Sequence, residues 1–265
     1  MGSDSPVKIG KNSDGLHYWI REDGARIAYR RVAGQSPTVV FLGGFSSDMT
    51  GTKAAHLAAW CSARQQAFLR LDYQGHGASS GRFVDGTIGI WSDDALAVIE
   101  GCTEGPLVLV GSSMGAWIML LVAQRLPARI HALLGLASAP DFTEELVWER
   151  LGDKDRAELA RNGIIHRPSE YAEEGCPISL ALIEEAREHL LLATSIELTC
   201  PVRLLHGLED ADVPWEVSRR LLQALASSDV TLELIKGGDH RLSKPADLRR
   251  LSRTLGALLD DSTDT

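Results

Sequence analysis

Long apolar runs are missing from this chain. The longest, Ala116 to Ala123, is eight residues, whereas a bilayer-spanning helix needs about 20, so no membrane span is expected. Cysteine is scarce as well. Cys61, Cys102, Cys176 and Cys200 stand far apart without a C-x-x-C pair, which argues against a zinc site and against a dense disulfide framework. Basic residues are in deficit: 27 Lys and Arg face 36 Asp and Glu, a net charge of −9. A nucleic-acid surface needs clustered cations that displace counterions from phosphates, so nucleic acid is excluded as a partner. Internal repeats and low-complexity segments are also missing. The opening MGSDSPVKIGKNSDG lacks both the apolar stretch of a secretory signal and the arginine-rich pattern of a transit peptide, and Pro6 breaks the myristoylation pattern. Together these absences predict a cytoplasmic protein with reduced thiols.

What is present is an ordinary core-forming composition, 44% hydrophobic and 24% charged over 265 residues, enough for one sizeable layered domain. Leu16 to Ile20 and Arg26 to Val32 flank the turn cluster Glu22-Asp23-Gly24 and predict an antiparallel hairpin. Short apolar runs then alternate with helical-length segments: TVVFL (38–42), AFLRL (67–71), PLVLV (106–110), IHALLGLA (130–137), VRLLHG (202–207) and VTLELI (230–235). Helices are expected near 52–63, 89–102, 114–126, 215–226 and 247–259. This rhythm predicts an α/β fold with a mostly parallel sheet flanked by helices. It breaks between Pro140 and Ser195, where only helix-like stretches such as EELVWERL and LALIEEAREHLLLA occur. Residues 140–195 are therefore expected to form a helical cap inserted into a core of 1–139 and 196–265. The cap holds 13 acidic and six basic residues, −7 of the chain's −9. A solvated outer face accounts for that charge by itself; the placement, over the carboxyl edge of the sheet, is what suggests a cap.

The sheet pattern gives meaning to VLVGSSMGAW (108–117). Gly111-Ser112-Ser113-Met114-Gly115 follows one buried strand run and opens a helical one, the strand-turn-helix setting of a nucleophile elbow. The central Ser113 is the candidate nucleophile, and Ser112 serves the turn; a purely structural reading has Ser113 cap the helix. A serine hydroxyl needs a base and an acid that orients the base. In chain order Ser, acid, His, the candidates are Asp210 in LLHGLEDADVP and His240 in GGDHRL, each just after an apolar run. Asp212 competes with Asp210, although its place before Val213-Pro214 suits a turn or cap. His206 reads as structural, and Asp239 should point away from the His240 ring. The oxyanion donors expected are the main-chain amides of Met114, after the nucleophile, and Phe45, after Gly43-Gly44.

These motifs resemble the α/β-hydrolase superfamily over Leu16 to Leu259. LGGF resembles its oxyanion segment, LDYQGHGASSG its D-x-R-G-x-G-x-S loop, GSSMG its elbow, HGLEDADVP its acid segment and GGDH its terminal histidine. Gly43 stands where many relatives have His, and Gln74 where they have Arg. More closely, GFSSDMTGTKA, VGSSMGAWIML, RPSEYAEEG and RLLHGLEDADVPW resemble the abhydrolase-domain protein 10 family, whose mitochondrial members include an acyl-protein thioesterase that also hydrolyses acyl glucuronides. Ala116 departs from a glycine frequent in that family. The resemblance implies ester or thioester hydrolysis of an acylated substrate through an acyl-enzyme, with no metal or organic cofactor. Other readings are an amide or C–C bond hydrolase of the same fold, or a catalytically silent protein that uses the cleft to bind a ligand or partner. Leu146, Val147, Trp148, Ile164, Ile165 and Leu180 of the cap are expected to wall an acyl pocket.

Overall fold

Period-two alternation along the strands sorts apolar side chains onto the two faces of one sheet. In β4 (Gln35–Leu42) and β6 (Leu107–Ser112), Val40, Leu42, Leu107 and Leu109 enter one core cluster, and Val39, Phe41, Val108 and Val110 enter another. Every residue of β6 is buried, as expected of a central parallel strand covered on both faces. The computed structural model describes residues 8–9, 15–169 and 172–260.

The other strands of the main sheet are β1 (Lys8–Ile9), β2 (His17–Ile20), β3 (Arg26–Val32), β5 (Gln66–Leu71), β7 (Ile130–Leu136), β10 (Val202–Gly207) and β11 (Val230–Ile235). They lie in the order β1-β2-β3-β5-β4-β6-β7-β10-β11. The first three pairings are antiparallel and those from β5 to β11 are parallel. One face packs α1 (Thr52–Ala63) and α7 (Pro245–Asp260) through Leu57, Cys61, Leu251 and Leu255. The other packs α2 (Ile88–Cys102), α3 (Met114–Arg125) and α6 (Trp215–Ala224). In α3 every residue from Met114 to Ala123 is buried, which explains its lack of a polar face. The expected α/β class and mostly parallel sheet hold, with boundaries moved by a few residues where cap and ladder geometry decide them.

Segment 140–195 departs from the all-helical expectation. It contains α4 (Asp153–Asn162) and α5 (Leu180–Ala186), but between them β8 (Ile164–Ser169) and β9 (Ala172–Ser179) form a separate antiparallel ribbon. Gly163, left-handed at φ 73°, ends α4, and β-branched Ile165 and Ile178 face each other across the ribbon. Pro177 is tolerated because both strands of a two-stranded ribbon are edges. EELVWERL forms only a π-helical turn (Thr143–Val147) and a 3₁₀ turn (Trp148–Arg150). In the motif RPSEYAEEG, Glu170 and Tyr171 lie outside the described residues, as does most of the N-terminal stretch read for targeting signals.

Among the described residues the four cysteines form no disulfide, and no helix is long and apolar enough to cross a membrane. The two ends of the 140–195 segment meet at Asp141, a buried residue whose carboxylate accepts the amides of Leu191 (2.9 Å) and Leu192 (2.8 Å). Asp141→Ala orphans two amides of which one is buried and one half-buried. It should cost about 2–4 kcal/mol, read as a lower urea midpoint, with Asp141→Asn losing less.

Candidate active site

The carboxyl ends of four parallel strands, β4 and β6 on one side of β7 and β10 and β11 on the other, supply the site. β6 leads into Ser113, β10 into the loop carrying Asp210, β11 into the loop carrying His240, and β4 into Gly43-Gly44-Phe45. Ser113 has φ 56° and ψ −123°, a backbone region that costs a non-glycine residue free energy and persists only where its surroundings enforce it. They do so through close packing. A Cβ on Gly111 would lie 2.5 Å from Cα of Ala116, one on Gly115 would lie 2.1 Å from the Leu42 carbonyl oxygen, and one on Gly44 would lie 3.3 Å from Cβ of Ser113. The Ser113 amide donates to the Leu136 carbonyl at 2.9 Å, and its own carbonyl accepts from Ala116 at 2.9 Å.

This bend brings Ser113 Oγ to 3.0 Å from His240 Nε2, and His240 Nδ1–H donates to Asp210 Oδ2 at 2.8 Å. The Asp210 side chain is fully buried, and the His240 side chain is 18% exposed. Oδ1 of Asp210 accepts the amides of Asp212 (3.0 Å) and Val213 (2.8 Å). Burial alone would raise the Asp210 pKa. Hydrogen bonds from His206 and His240, the His240 charge and the Val213 amide outweigh it and hold the group well below the usual carboxylate range. Asp212 contributes its amide to this loop, and its side chain is exposed. Asp239 accepts from the Leu242 amide and faces Lys244 at 3.5 Å, away from the ring as expected.

His206 was expected to be merely structural, yet its Nε2 is 3.1 Å from Asp210 Oδ2. The i, i+4 spacing in HGLED was the available signal. Ser112 is buried at 6% exposure and closes the β6 ladder against Leu136. The amides of Phe45 and Met114 flank the elbow, and among the described residues neither has a protein acceptor. The Phe45 ring packs on Phe83 (4.8 Å), Phe142 (5.6 Å) and Trp91 (5.8 Å).

Gln74, the departure from the family loop, donates through its main-chain amide and its Nε2 to the fully buried Asp94, which also receives Arg21 at 2.8 Å. Arg21 thus supplies the guanidinium of this buried cluster. A cavity of about 450 Å³ opens beside Ser113 and His240, with Phe45, Ser47, Lys53 and Arg241 on its walls. Burial first, then the Arg241 charge, lowers the Lys53 pKa to about 8. A second cavity of about 600 Å³, between α2 and α5, contains none of these groups. Asp210, Asp212 and His240 have ligand atoms close enough to surround a cation. Both Asp210 oxygens and both His240 nitrogens already have protein partners, so a metal would compete with those bonds.

Residues 35–159 match the family model described as serine aminopeptidase, S33. The bovine protein named palmitoyl-protein thioesterase ABHD10, mitochondrial, is 38% identical over 255 residues, which cover 96% of this chain and 83% of that protein. The chain belongs to the ABHD10 family of α/β-hydrolases. The mouse α/β hydrolase domain-containing protein 10 structure superposes with a TM-score of 0.87 at 38% identity, covering 93% of this chain and 98% of that one. Est1E from Butyrivibrio proteoclasticus, 20% identical with a TM-score of 0.73 over 94% of this chain and 99% of its own, shares the fold. The mammalian ABHD10 relatives are named as mitochondrial, which overturns the cytoplasmic expectation. Dispersed cysteines do not distinguish one compartment from another.

Because Asp210 has a folded pKa below its unfolded value, it adds stability that is complete above the unfolded value. That contribution is lost as pH falls through the folded one. The stability advantage of wild type over Asp210→Asn should therefore shrink as pH falls below about 4, as measured by urea unfolding across pH.

Proposed function

We propose that Ser113, His240 and Asp210 form the catalytic triad of an acyl ester or thioester hydrolase. The observation that carries this reading is the continuous line Ser113 Oγ to His240 Nε2 (3.0 Å) and His240 Nδ1 to Asp210 Oδ2 (2.8 Å) at the end of a strained strand-to-helix turn. His240 takes the Ser113 proton as Oγ attacks the acyl carbonyl, and Asp210 holds the imidazole in the required tautomer and stabilises the imidazolium. The amides of Phe45 and Met114 receive the oxyanion. His240 returns the proton to the departing alkoxide or thiolate, and water then releases the acyl group by the same steps. This chemistry requires neither metal nor organic cofactor.

The ABHD10 relatives are named palmitoyl-protein thioesterases, and the substrate we infer here is likewise a long-chain acyl thioester. Residues 140–195 act as a cap in this reading, but the wall of the acyl site differs from the one expected from sequence. Val147 and Ile165 are spent in the cap's own cluster, and the Trp148 ring lies between the guanidinium groups of Arg156 (4.8 Å) and Arg187 (5.0 Å). Phe142 and Phe45 each bridge the main core and the cap, and the acyl chain is assigned to that aromatic seam.

Ser113→Ala should abolish labelling by a fluorophosphonate probe and lower kcat by roughly 10⁴-fold or more, while Ser112→Ala keeps labelling. Absence of labelling in wild type would favour a silent binding protein. Each methylene buried on the seam is worth ~0.8 kcal/mol. kcat/KM should therefore rise with acyl length across C2 to C16 thioesters, and Phe142→Ala should flatten the rise. A flat profile in wild type would discard the seam as the acyl site.

A further inference from the structure

Asp210 lies between two imidazoles, and only one of them belongs to the triad. On the side away from Ser113, His206 at the end of β10 is fully buried, as is Ser218 of α6. His206 Nε2 faces two acceptors, Asp210 Oδ2 at 3.1 Å and the Val213 carbonyl at 3.0 Å, so it carries a hydrogen. Nδ1 then presents a lone pair to the Ser218 hydroxyl 2.7 Å away. We propose that His206, locked in this tautomer by Ser218, is a positioning residue for the reaction: it fixes the Asp210 carboxylate and shares the oxygen that serves His240.

The proposal rests on the triad reading and extends it by one shell. A carboxylate oxygen that accepts from a single donor can swing about its χ2 torsion, which is broad for Asp. Here Oδ1 is tied by two backbone amides and Oδ2 by two ring N–H groups, so rotation in either direction breaks bonds in a dry site. The second donor also spreads the charge of Oδ2. It keeps the carboxylate ionised when His240 becomes an imidazolium, so the proton stays on His240 and is available to the leaving group. A merely structural histidine would need Ser218 and the Val213 carbonyl only; the approach to Oδ2 is what that role leaves unexplained.

Steady-state hydrolysis of a long-chain p-nitrophenyl ester by the full chain, from pH 5 to 9, tests this with His206→Phe, His206→Gln and Ser218→Ala, alongside thermal unfolding. Phe keeps the ring volume and removes the donor; Gln restores an N–H near the Nε2 position. With one donor gone, the carboxylate holds the imidazolium more tightly and the base form of His240 is reached at higher pH. His206→Phe should therefore lower kcat by about tenfold or more with KM within about twofold, and move the acid limb of kcat/KM upward. His206→Gln should recover most of both changes, and Ser218→Ala should shift them the same way by less. The other charged groups at this corner, exposed Asp212 and the Asp239–Lys244 pair, are common to all variants.

A His206→Phe protein with a lower Tm but unchanged kcat and acid limb overturns the proposal, as does equal loss in the Phe and Gln variants. If His206→Phe does not fold, His206→Gln and Ser218→Ala decide: wild-type kcat in Gln with a displaced limb in Ser218→Ala supports the proposal, and a wild-type limb in Ser218→Ala overturns it. Normal turnover by Ser113→Ala would overturn the triad reading itself, an outcome separate from these.

Discussion

A serine backbone held at φ 56° between a strand and a helix is a local strain that the chain must enforce from several sides. The neighbours that enforce it explain much of the architecture. Gly111 and Gly115 let β6 and α3 fold back on each other and on the Leu42 and Gly43 carbonyls. Hydrogen bonds from the strand on either side of the turn fix its height above the sheet. The parallel order β4-β6-β7-β10-β11 then brings the remaining loops to the same edge, the usual place for ligands in an open α/β sheet. Without that sheet the bend would relax and the hydroxyl would lose its aim.

The second constraint is electrostatic. Asp210 is a fully buried carboxylate, and an unpaired charge in that position would be strongly destabilising. Four donors compensate it, two from the backbone of its own loop and two from imidazoles. The same economy of paired burial recurs at Asp94 with Arg21 and Gln74 and at Asp141 with two amides. Each of these carboxylates accepts main-chain amides of a loop: Asp210 those of Asp212 and Val213, Asp94 that of Gln74, and Asp141 those of Leu191 and Leu192.

Much of this was legible in the sequence because each proposed triad residue stands a few positions beyond a short apolar run, and such runs become parallel strands. Ser113, Asp210 and His240 could be nominated from strand ends alone, and the structure brings the three side chains together. The role of His206 was hidden because its partner Ser218 lies on another element, and linear order does not reveal which way a buried imidazole turns. The ribbon of β8 and β9 was missed because its prolines and charges mask β periodicity. Trp148 looked like a pocket wall from hydrophobicity alone, but two arginines stack on it, a tertiary arrangement that composition does not encode. The compartment was misjudged because absent signals and dispersed cysteines do not distinguish one reducing environment from another.

The Asp141 clip draws together positions 50 residues apart in sequence. The long excursion between β7 and β10 is thus closed at its base by this clip, and it is tied further along by Glu185 to the Gly89 amide and by Glu145 to Arg220. Loop-closure entropy grows only slowly with the number of residues enclosed. Residues between these ties can therefore lengthen or shorten at small entropic cost while the strands beneath keep their register.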